Sequence, residues 1–327
     1  MDNICSGLIR SYDINVKSGR KTKGFYIIIS PAGKYCLKKT NDDFAHLEFQ
    51  IQIQENLKNS GMANFEKIYL TKDNKPFAEA GGIKYILTDY TDGEEADFDN
   101  EEHLDGIIKA LAVFHKNAGV LGESTRYNAQ DMRKISRKYY NELDSMKKRI
   151  DPSKGLSEFD MLFLKNCDYY MNNALTCEKI LSGGQYGEKH ENAVNKGCIC
   201  YNLLKKANLI MSDGEAWLAS FSGCRRDYYT KDIAALIERY MKYSKSKAFS
   251  PEDIINKYSN YSPVDKDDRA IILAELLSPE GFVKIAGEYY SKKRSWVPTS
   301  IIFKMEKIIS TKATNAEYLR PFFGVVK

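Results

Sequence analysis

The sequence has no hydrophobic stretch close to the length of a membrane span, no run of six like charges, and only 8 prolines among 327 residues. The absent span argues against an integral membrane protein, and the absent charge run argues against a nucleic-acid-binding arm or a polybasic membrane patch. A net charge of +5 and a hydrophobic fraction of 43% are ordinary for a globular chain, so we expect no long disordered region. A chain of this length buries roughly three quarters of its unfolded surface, which is enough for a stable core without metals or disulfides.

The 7 cysteines are widely spaced and none forms a C-x-x-C pair, so we expect reduced thiols. The first residues lack the basic segment and the apolar run of a secretory signal, and we therefore expect synthesis in the cytoplasm. The tightest group of candidate zinc ligands is Cys198 and Cys200, with His190 before them and Cys224 after them. Their spacing matches none of the usual zinc patterns, so the sequence predicts no metal site there.

The first ninety residues have mainly strand patterns. β-branched and aromatic residues flank a Pro/Gly turn between Phe25 and Lys39, which predicts a hairpin. Apolar residues at helical spacing then predict a helix from Phe44 to Lys58. Two further strands are predicted at residues 66–71 and 83–90.

After Gly93 the apolar spacing becomes helical. Asp99 and Glu102 resemble a capping box at the start of a helix. A long helix is predicted over residues 159–181, and the Asp-Gly turn near residue 213 predicts one short hairpin at residues 208–221.

This order predicts an α+β, bilobal layout, which is that of a kinase-like phosphotransferase. The predicted parts are a β-rich N-terminal lobe (1–90), a hinge (91–99), and a large helical C-terminal lobe (100–327) with the catalytic-loop hairpin at 201–223.

Several segments together resemble the spore coat protein S family, whose members have an aminoglycoside-phosphotransferase-like fold. The strand Tyr85–Tyr90 followed by Asp92-Gly93-Glu94-Glu95 resembles the strand and hinge of that family. The segments 97–100 and 111–115 resemble its next motifs, and Lys231–Ala234 a later one. The resemblance implies a protein-kinase-like fold over most of the chain.

The resemblance also implies a nucleotide cleft. Cys36 and Lys38 lie on one face of the predicted strand, where Cys36 would floor an adenine pocket and Lys38 would reach the phosphates. Glu48 on the following helix is the candidate ion-pair partner of Lys38. Asp89 and Tyr90 lie at the hinge. Without the resemblance, Lys38 and Glu48 are ordinary solvated charges.

The resemblance further shows what the catalytic loop lacks. Related enzymes carry His-Gly-Asp-x4-Asn before the hairpin and Asp-Phe-Asp after it. Asn208 keeps the place of the metal-binding Asn, whereas Leu203 replaces the catalytic Asp, Tyr201 replaces the His, and Ser220 replaces the metal-binding Asp. Leucine neither accepts a proton nor binds a cation, and a neutral serine is a poor ligand for Mg²⁺. The sequence therefore predicts no catalytic residues and no metal site.

We expect a kinase-fold pseudoenzyme that is a structural or scaffolding component of the bacterial endospore coat. The resemblance implies synthesis in the mother cell, deposition in the coat, and other coat proteins as partners, with oligomerisation left open. No cofactor is required, and ATP held without Mg²⁺ is a separate hypothesis.

Two alternatives stay open at this point. One is a divergent phosphotransferase that acts on a small molecule or a coat protein through Asp227, Asp232 or a carboxylate of the substrate. The other is a binding module for a sugar or an aminoglycoside-like molecule.

Overall fold

The structure is a computed structural model that describes residues 3–22, 24–122, 125–291 and 298–319. The chain divides into two compact units. The first comprises Met1–Tyr127, Asn195–Asp232 and Arg239–Lys247, and the second comprises Asn128–Val194, Ile233–Glu238 and Ala248–Lys327. Compact units need not follow the lobes of a fold, so the predicted lobe boundaries stay a prediction.

The strands of the first unit form one large sheet and two small ones. In chain order they are β1 Ser18–Lys21, β2 Phe25–Ser30, β3 Gly33–Thr40, β4 Ile68–Tyr69, β5 Ala78–Ala80, β6 Ile83–Asp89, β7 Glu94–Glu95, β8 Ile199–Cys200, β9 Leu209–Ser212, β10 Glu215–Leu218 and β11 Arg225–Arg226. The large sheet has the order β1-β2-β3-β6-β4, and β5 pairs with β6. Strands β10, β9 and β7 form the second sheet, and β11 pairs with β8.

The helices occur in both units, and α7 passes through both of them. In chain order they are α1 Asn3–Ile9, α2 Phe44–Asn59, α3 Glu101–Asn117, α4 Met132–Arg149, α5 Glu158–Gly183, α6 Tyr186–Asn195, α7 Thr230–Tyr243, α8 Pro251–Ser259, α9 Lys266–Leu277, α10 Glu280–Tyr290 and α11 Thr299–Tyr318. Short 3₁₀ turns lie at Thr125–Tyr127, Pro152–Lys154 and Lys206–Asn208.

The hairpin predicted between residues 25 and 39 is confirmed. Strands β2 and β3 pair in antiparallel register, with Ser30 opposite Gly33 at the turn. Gly33 has φ 144°, in the region that favours glycine, and this lets the turn close tightly. Ile28 and Leu37 are fully buried in the core that this sheet forms with α1.

Helix α2 confirms the helix predicted for residues 44–58. Asp43 is its N-cap, and the Asp43 side chain accepts a hydrogen bond from the N–H of His46. Of the predicted apolar stripe, Leu47 is fully buried but Phe44 is exposed. Phe44 is the first residue of the helix, at the end of the stripe that packs on the sheet.

The strand predicted at residues 66–71 is shorter than expected, because β4 contains only Ile68 and Tyr69. The side chain of Gln54, from α2, binds the backbone on either side of residue 67. Its Nε2 donates to the carbonyl of Glu66 and its Oε1 accepts from the N–H of Ile68, both at 2.9 Å. These bonds satisfy backbone groups that a longer strand would offer to a neighbour. The strand predicted at 83–90 is confirmed as β6.

The second unit is built around a core of aromatic side chains. Phe163 and Tyr170 of α5 stack on Phe282 of α10, with ring centroids 5.6 and 4.0 Å apart. The long helix predicted at 159–181 is confirmed as α5, which begins with a capping box between Ser157 and Asp160.

Helix α3 begins differently from the prediction. Asn100 is the N-cap, and its side chain accepts hydrogen bonds from the N–H groups of Glu102 and His103. The capping role predicted for Asp99 was therefore wrong. Asp99 lies one residue too early, and its carboxylate has other partners.

Replacing Asp99 with asparagine should lower the melting temperature at neutral pH. The carboxylate accepts hydrogen bonds from the hydroxyl of Ser244 and from the backbone N–H groups of Lys245 and Ser246, and these bonds hold the pKa of Asp99 well below its usual range. A depressed pKa stabilises the fold above the unfolded-state pKa of about 3.9, and this stabilisation is lost as pH falls towards the folded-state value.

The difference in melting temperature between wild type and Asp99→Asn should therefore shrink as pH is lowered below about 4. Thermal unfolding followed by circular dichroism between neutral and acidic pH measures it. Asp73→Asn, at an exposed turn residue, is the matched control. A difference that stays constant with pH would contradict the assignment of the effect to the carboxylate charge.

Candidate functional site

The hairpin predicted at residues 208–221 is confirmed as β9 and β10. Asp213 and Gly214, with φ 52° and 76°, form its turn. Strand β7, in the predicted hinge, pairs with β9 and places Glu94 opposite Met211. A Cβ atom on Gly93 would lie 2.4 Å from the carbonyl oxygen of Met211. Glycine is required at position 93 because the hinge backbone approaches the hairpin this closely.

A segment before β4 extends the other edge of the hairpin. The N–H of Glu66 donates to the carbonyl of Leu218, and the N–H of Leu218 donates to the carbonyl of Asn64, both at 3.1 Å. The Asn64 side chain also donates to the carbonyl of Ala216 at 2.5 Å. Backbone pairing therefore joins the segment that leads into the large sheet directly to β10.

The loop before the hairpin is held by side-chain contacts of Asn208 and Tyr201. The side-chain amide of Asn208 donates to the carbonyl of Leu203 at 3.0 Å, so the two residues that the sequence places five apart are in direct contact. Tyr201 is fully buried, and its hydroxyl donates to the carbonyl of Ala219 at 2.7 Å. Burial raises the pKa of Tyr201 well above its usual value. Tyr201 thus ties the loop to the end of β10.

Asp232, at the start of α7, holds this loop from behind. Its Oδ2 accepts from the N–H of Tyr201 at 2.5 Å and lies 2.9 Å from His115 Nε2, and its Oδ1 accepts from the N–H of Asn202 at 2.8 Å. Among the described residues, His115, Cys200 and Asp232 each have one potential metal-ligand atom, and these three atoms lie within 4.8 Å of one another. Both carboxylate oxygens of Asp232 already accept hydrogen bonds from the loop backbone. This geometry supports a structural role in which Asp232 holds the loop in place.

Ser220 occupies the end of β10 in an unusual backbone conformation. Its φ is 71°, in the left-handed region that serine rarely adopts. Its hydroxyl lies 3.1 Å from the hydroxyl of Ser222, and its N–H donates to Glu66 Oε2 at 2.8 Å. Position 220 therefore combines a left-handed backbone conformation with a side chain that carries no charge.

An aromatic cluster fixes the residue that follows. Phe221 packs edge to face against Phe65 and Tyr201, with ring centroids 5.9 and 6.0 Å apart, and Phe114 packs against both Tyr201 and Phe221. These rings are buried. The end of the hairpin is therefore fixed by aromatic packing, although Ser220 beside it carries no charge.

Lys38 pairs with Glu66. The distance from Lys38 Nζ to Glu66 Oε1 is 2.5 Å, and the Thr88 hydroxyl donates to the same oxygen at 2.5 Å. The side chain of Lys38 is 28% exposed and that of Glu66 is 10% exposed. The predicted pairing of Lys38 with Glu48 was wrong, because Glu48 lies on the exposed side of α2 whereas Glu66 enters from the segment before β4.

The other residues predicted to form a nucleotide cleft are not all brought together. Cys36 lies two residues before Lys38 on β3, opposite Thr88, and burial raises the pKa of its thiol to about 11. The carboxylate of Asp89 accepts from the Tyr69 hydroxyl at 2.7 Å and from the N–H of Lys67 at 3.0 Å. The carboxylate of Asp89 is thus hydrogen-bonded to Tyr69 of β4 and to Lys67 just before β4. Cys36 remains beside Lys38.

Tyr90 and the basic segment before β2 have structural partners. The N–H of Tyr90 donates to the carbonyl of Lys34 at 3.1 Å, and its ring lies 6.4 Å from that of Phe25. The basic segment 17–24 contains strand β1 at the sheet edge, and Lys23 lies outside the described residues.

The residues present do not fit a magnesium ion of the kind used in phosphoryl transfer. Mg²⁺ takes oxygen ligands and is usually bound through one or two carboxylates together with phosphates. Leu203 offers no ligand, and Ser220 offers a neutral hydroxyl. The carboxylate beside them, Glu66, already accepts hydrogen bonds at both oxygens.

Sequence reasoning missed Glu66 and Thr88. Glu66 stands at the start of a predicted strand, among many other acidic residues, and nothing in the local pattern connects it with Lys38 or with Ser220. Its burial and its partners depend on segments distant in sequence, so no local signal could have identified it.

No helix among the described residues combines the length and the apolar character that crossing a bilayer requires.

Comparison with known proteins gives a consistent result. The family model described as spore coat putative kinase YutH matches residues 6–322. Spore coat protein S of Bacillus subtilis (strain 168) is 20% identical over 308 residues, covering 93% of this chain and 87% of that protein. An aminoglycoside phosphotransferase from Alicyclobacillus acidocaldarius superposes with a TM-score of 0.83 at 17% identity, over 98% of this chain and 95% of its own. A spectinomycin phosphotransferase gives 0.61 at 14% identity, over 93% of each chain. The predicted kinase-like, aminoglycoside-phosphotransferase-like fold is confirmed.

Proposed function

The chain belongs to the spore coat putative kinase YutH family, and from this premise we propose that it serves the endospore coat as a kinase-fold protein without phosphotransferase activity. Its role is structural: it is a scaffold to which other coat proteins bind. The family and the similarity to spore coat protein S support the biological setting.

The proposed absence of phosphotransferase activity rests on one observation. The catalytic loop and the hairpin are built as the fold requires, with Asn208 bound to Leu203 and Ser220 in a left-handed conformation. Catalysis of phosphoryl transfer consists mostly of positioning and charge neutralisation. At the two positions where this fold uses carboxylates, the chain has a leucine and a serine. The positioning is retained and the charge is lost.

The two acids of the alternative phosphotransferase proposal are also engaged. Asp232 uses both carboxylate oxygens to hold the loop. Asp227 accepts from the N–H of Tyr228 at 2.7 Å and lies 3.7 Å from the ammonium of Lys231. These contacts support structural roles for both and favour the scaffold over the enzyme.

Purified protein supplied with ATP and Mg²⁺ should release or transfer no more phosphate than the Lys38→Ala variant. The reason is that neither a base at position 203 nor a metal-binding carboxylate at position 220 is present. Radiolabelled ATP, with coat extract and small amino sugars offered as acceptors, measures transfer, and free phosphate measures hydrolysis.

The comparison requires that both proteins are folded, which circular dichroism checks. Turnover by the wild type that Lys38→Ala abolishes would overturn the proposal and favour the divergent phosphotransferase. Calorimetric binding of a sugar or an aminoglycoside without turnover would favour the ligand-binding module.

The coat assignment has a separate test. A tagged copy expressed during sporulation should be recovered with the coat fraction of purified spores and should be cross-linked there to other coat proteins. Recovery only from the mother-cell cytoplasm would contradict the scaffold role.

Metal-free binding of a nucleotide is the remaining part of the proposal. It is supported by the partial exposure of Lys38 and by the buried Cys36 beside it. A ligand that binds only the folded state at a hundred times its dissociation constant adds about 2.7 kcal/mol of stability, so thermal unfolding with ATP and EDTA tests it.

A further inference from the structure

The carboxylate of Glu66 connects three segments near the catalytic loop. It is held by donors from three different segments: Lys38 on β3, Thr88 on β6, and the backbone N–H of Ser220 at the end of β10. Glu66 as a whole is 8% exposed. A buried carboxylate with three donors is fixed in place, because moving it would leave each donor without a partner.

The backbone of Glu66 is fixed as well. Its carbonyl accepts from the Gln54 side chain, and its N–H donates to the carbonyl of Leu218. The residue cannot swing out without breaking the pairing between its segment and β10. The carboxylate of Glu66 is therefore held in place beside Lys38.

This charge changes what the site can bind. Lys38 contributes one positive charge and Glu66 one negative charge, while positions 203 and 220 contribute none. A nucleotide triphosphate brings several negative charges, which related folds offset with metal ions held by carboxylates. Here no such metal site exists among the described residues, and the ion pair offers a phosphate group no net positive charge.

We propose that Glu66 is a specificity-determining residue, a built-in anion that selects against phosphate and leaves the cleft to uncharged ligands of the nucleoside class. The proposal rests on the metal-free nucleotide binding proposed above. It differs from the usual role of a lysine–glutamate pair in this fold, because the carboxylate persists where the metal-binding carboxylates do not.

The experiment compares adenosine with ATP by calorimetry in EDTA, using the wild type, Glu66→Gln and Glu48→Gln. Glutamine keeps the size of residue 66 and one acceptor oxygen, but it removes the charge. Glu48→Gln removes the same charge from the exposed side of α2 and is the matched control. We expect the wild type to bind ATP no more tightly than adenosine. Glu66→Gln should bind ATP about tenfold more tightly than the wild type does, with adenosine unchanged.

The gain must depend on Lys38. Adding Lys38→Met to Glu66→Gln should remove it, and Glu48→Gln should show none. A wild type that binds ATP about tenfold more tightly than adenosine in EDTA would overturn the proposal, as would a folded Glu66→Gln variant without a gain. Tighter binding of ATP to the wild type on adding Mg²⁺ would also overturn it, because the site would then accept phosphate with its metal while Glu66 is in place.

A second measurement uses only the wild type, in case Glu66→Gln does not fold. Lysine acetylation by an N-hydroxysuccinimide ester, read by mass spectrometry, reports whether millimolar ATP in EDTA covers Lys38. Protection of less than about twofold, in protein that binds adenosine by calorimetry, supports the proposal, and greater protection overturns it. Neither result depends on turnover, so failure of this inference is distinguishable from failure of the proposed loss of activity.

Discussion

Replacing Leu203 and Ser220 together with aspartate should produce a protein that hydrolyses ATP in the presence of Mg²⁺. Asn208 already holds the carbonyl of residue 203, and residue 220 already has φ 71°, a conformation in which aspartate is several times more common than most residues. A positioned base typically contributes about 10²–10⁴-fold in rate. We therefore expect phosphate release to rise at least about a hundredfold over the unsubstituted chain.

The matched control is the double variant Leu203→Asn/Ser220→Asn. It has nearly the same shape and the same loss of apolar surface at position 203, but it has no carboxylates. Ser220→Asp alone should gain Mg²⁺-dependent binding of ATP without rapid turnover, because the metal ligand returns without the base. If the double aspartate variant is folded and no faster than the double asparagine variant, the missing carboxylates do not explain the inactivity.

Replacing Asp232 with alanine should lower the free energy of unfolding by about 3–5 kcal/mol, because three buried groups lose their partner and each buried polar group left unsatisfied costs about 1–3 kcal/mol. Asp232 is fully buried. Its carboxylate accepts hydrogen bonds from the backbone N–H groups of Tyr201 and Asn202, and it lies within hydrogen-bond distance of His115 Nε2. Alanine would leave these groups without an acceptor in the interior. Chemical denaturation followed by tryptophan fluorescence measures the change.

Asp73→Ala is the control for this measurement, since Asp73 is an exposed turn residue whose backbone is not in the left-handed region. Asp232→Asn should fall between wild type and Asp232→Ala, because one oxygen acceptor remains. A loss below about 1 kcal/mol for Asp232→Ala would mean that the loop is held by its other contacts, such as the hydrogen bond of Tyr201 to Ala219.

Much of the fold could be predicted because its signals are local. The hairpin of β2 and β3 follows from β-branched residues on either side of a turn that only glycine closes easily at position 33. The hairpin of β9 and β10 follows from Asp213 and Gly214, and helix α5 from a regular apolar spacing that begins at Phe159. Each of these depends on residues within a few positions of one another.

Local rules failed where a distant side chain competed for the backbone. The strand predicted at residues 66–71 was cut to two residues because Gln54, from α2, took its hydrogen bonds. The cap predicted at Asp99 was wrong because three consecutive residues after α7, Ser244 to Ser246, donate hydrogen bonds to that carboxylate. Neither competitor is adjacent in sequence to the residue it affects.

The sequence alone determined which side chains stand at positions 203 and 220, and that neither is a carboxylate. The tertiary structure adds that the side chain of Asn208 contacts the carbonyl of Leu203. The tertiary structure alone decided which acid stands beside Lys38. Glu48, ten residues away, was the nearer candidate in sequence, but helix α2 turns it to the exposed side. Glu66 reaches Lys38 because its segment pairs with β10, and a pairing between residues 66 and 218 leaves no trace in either local pattern.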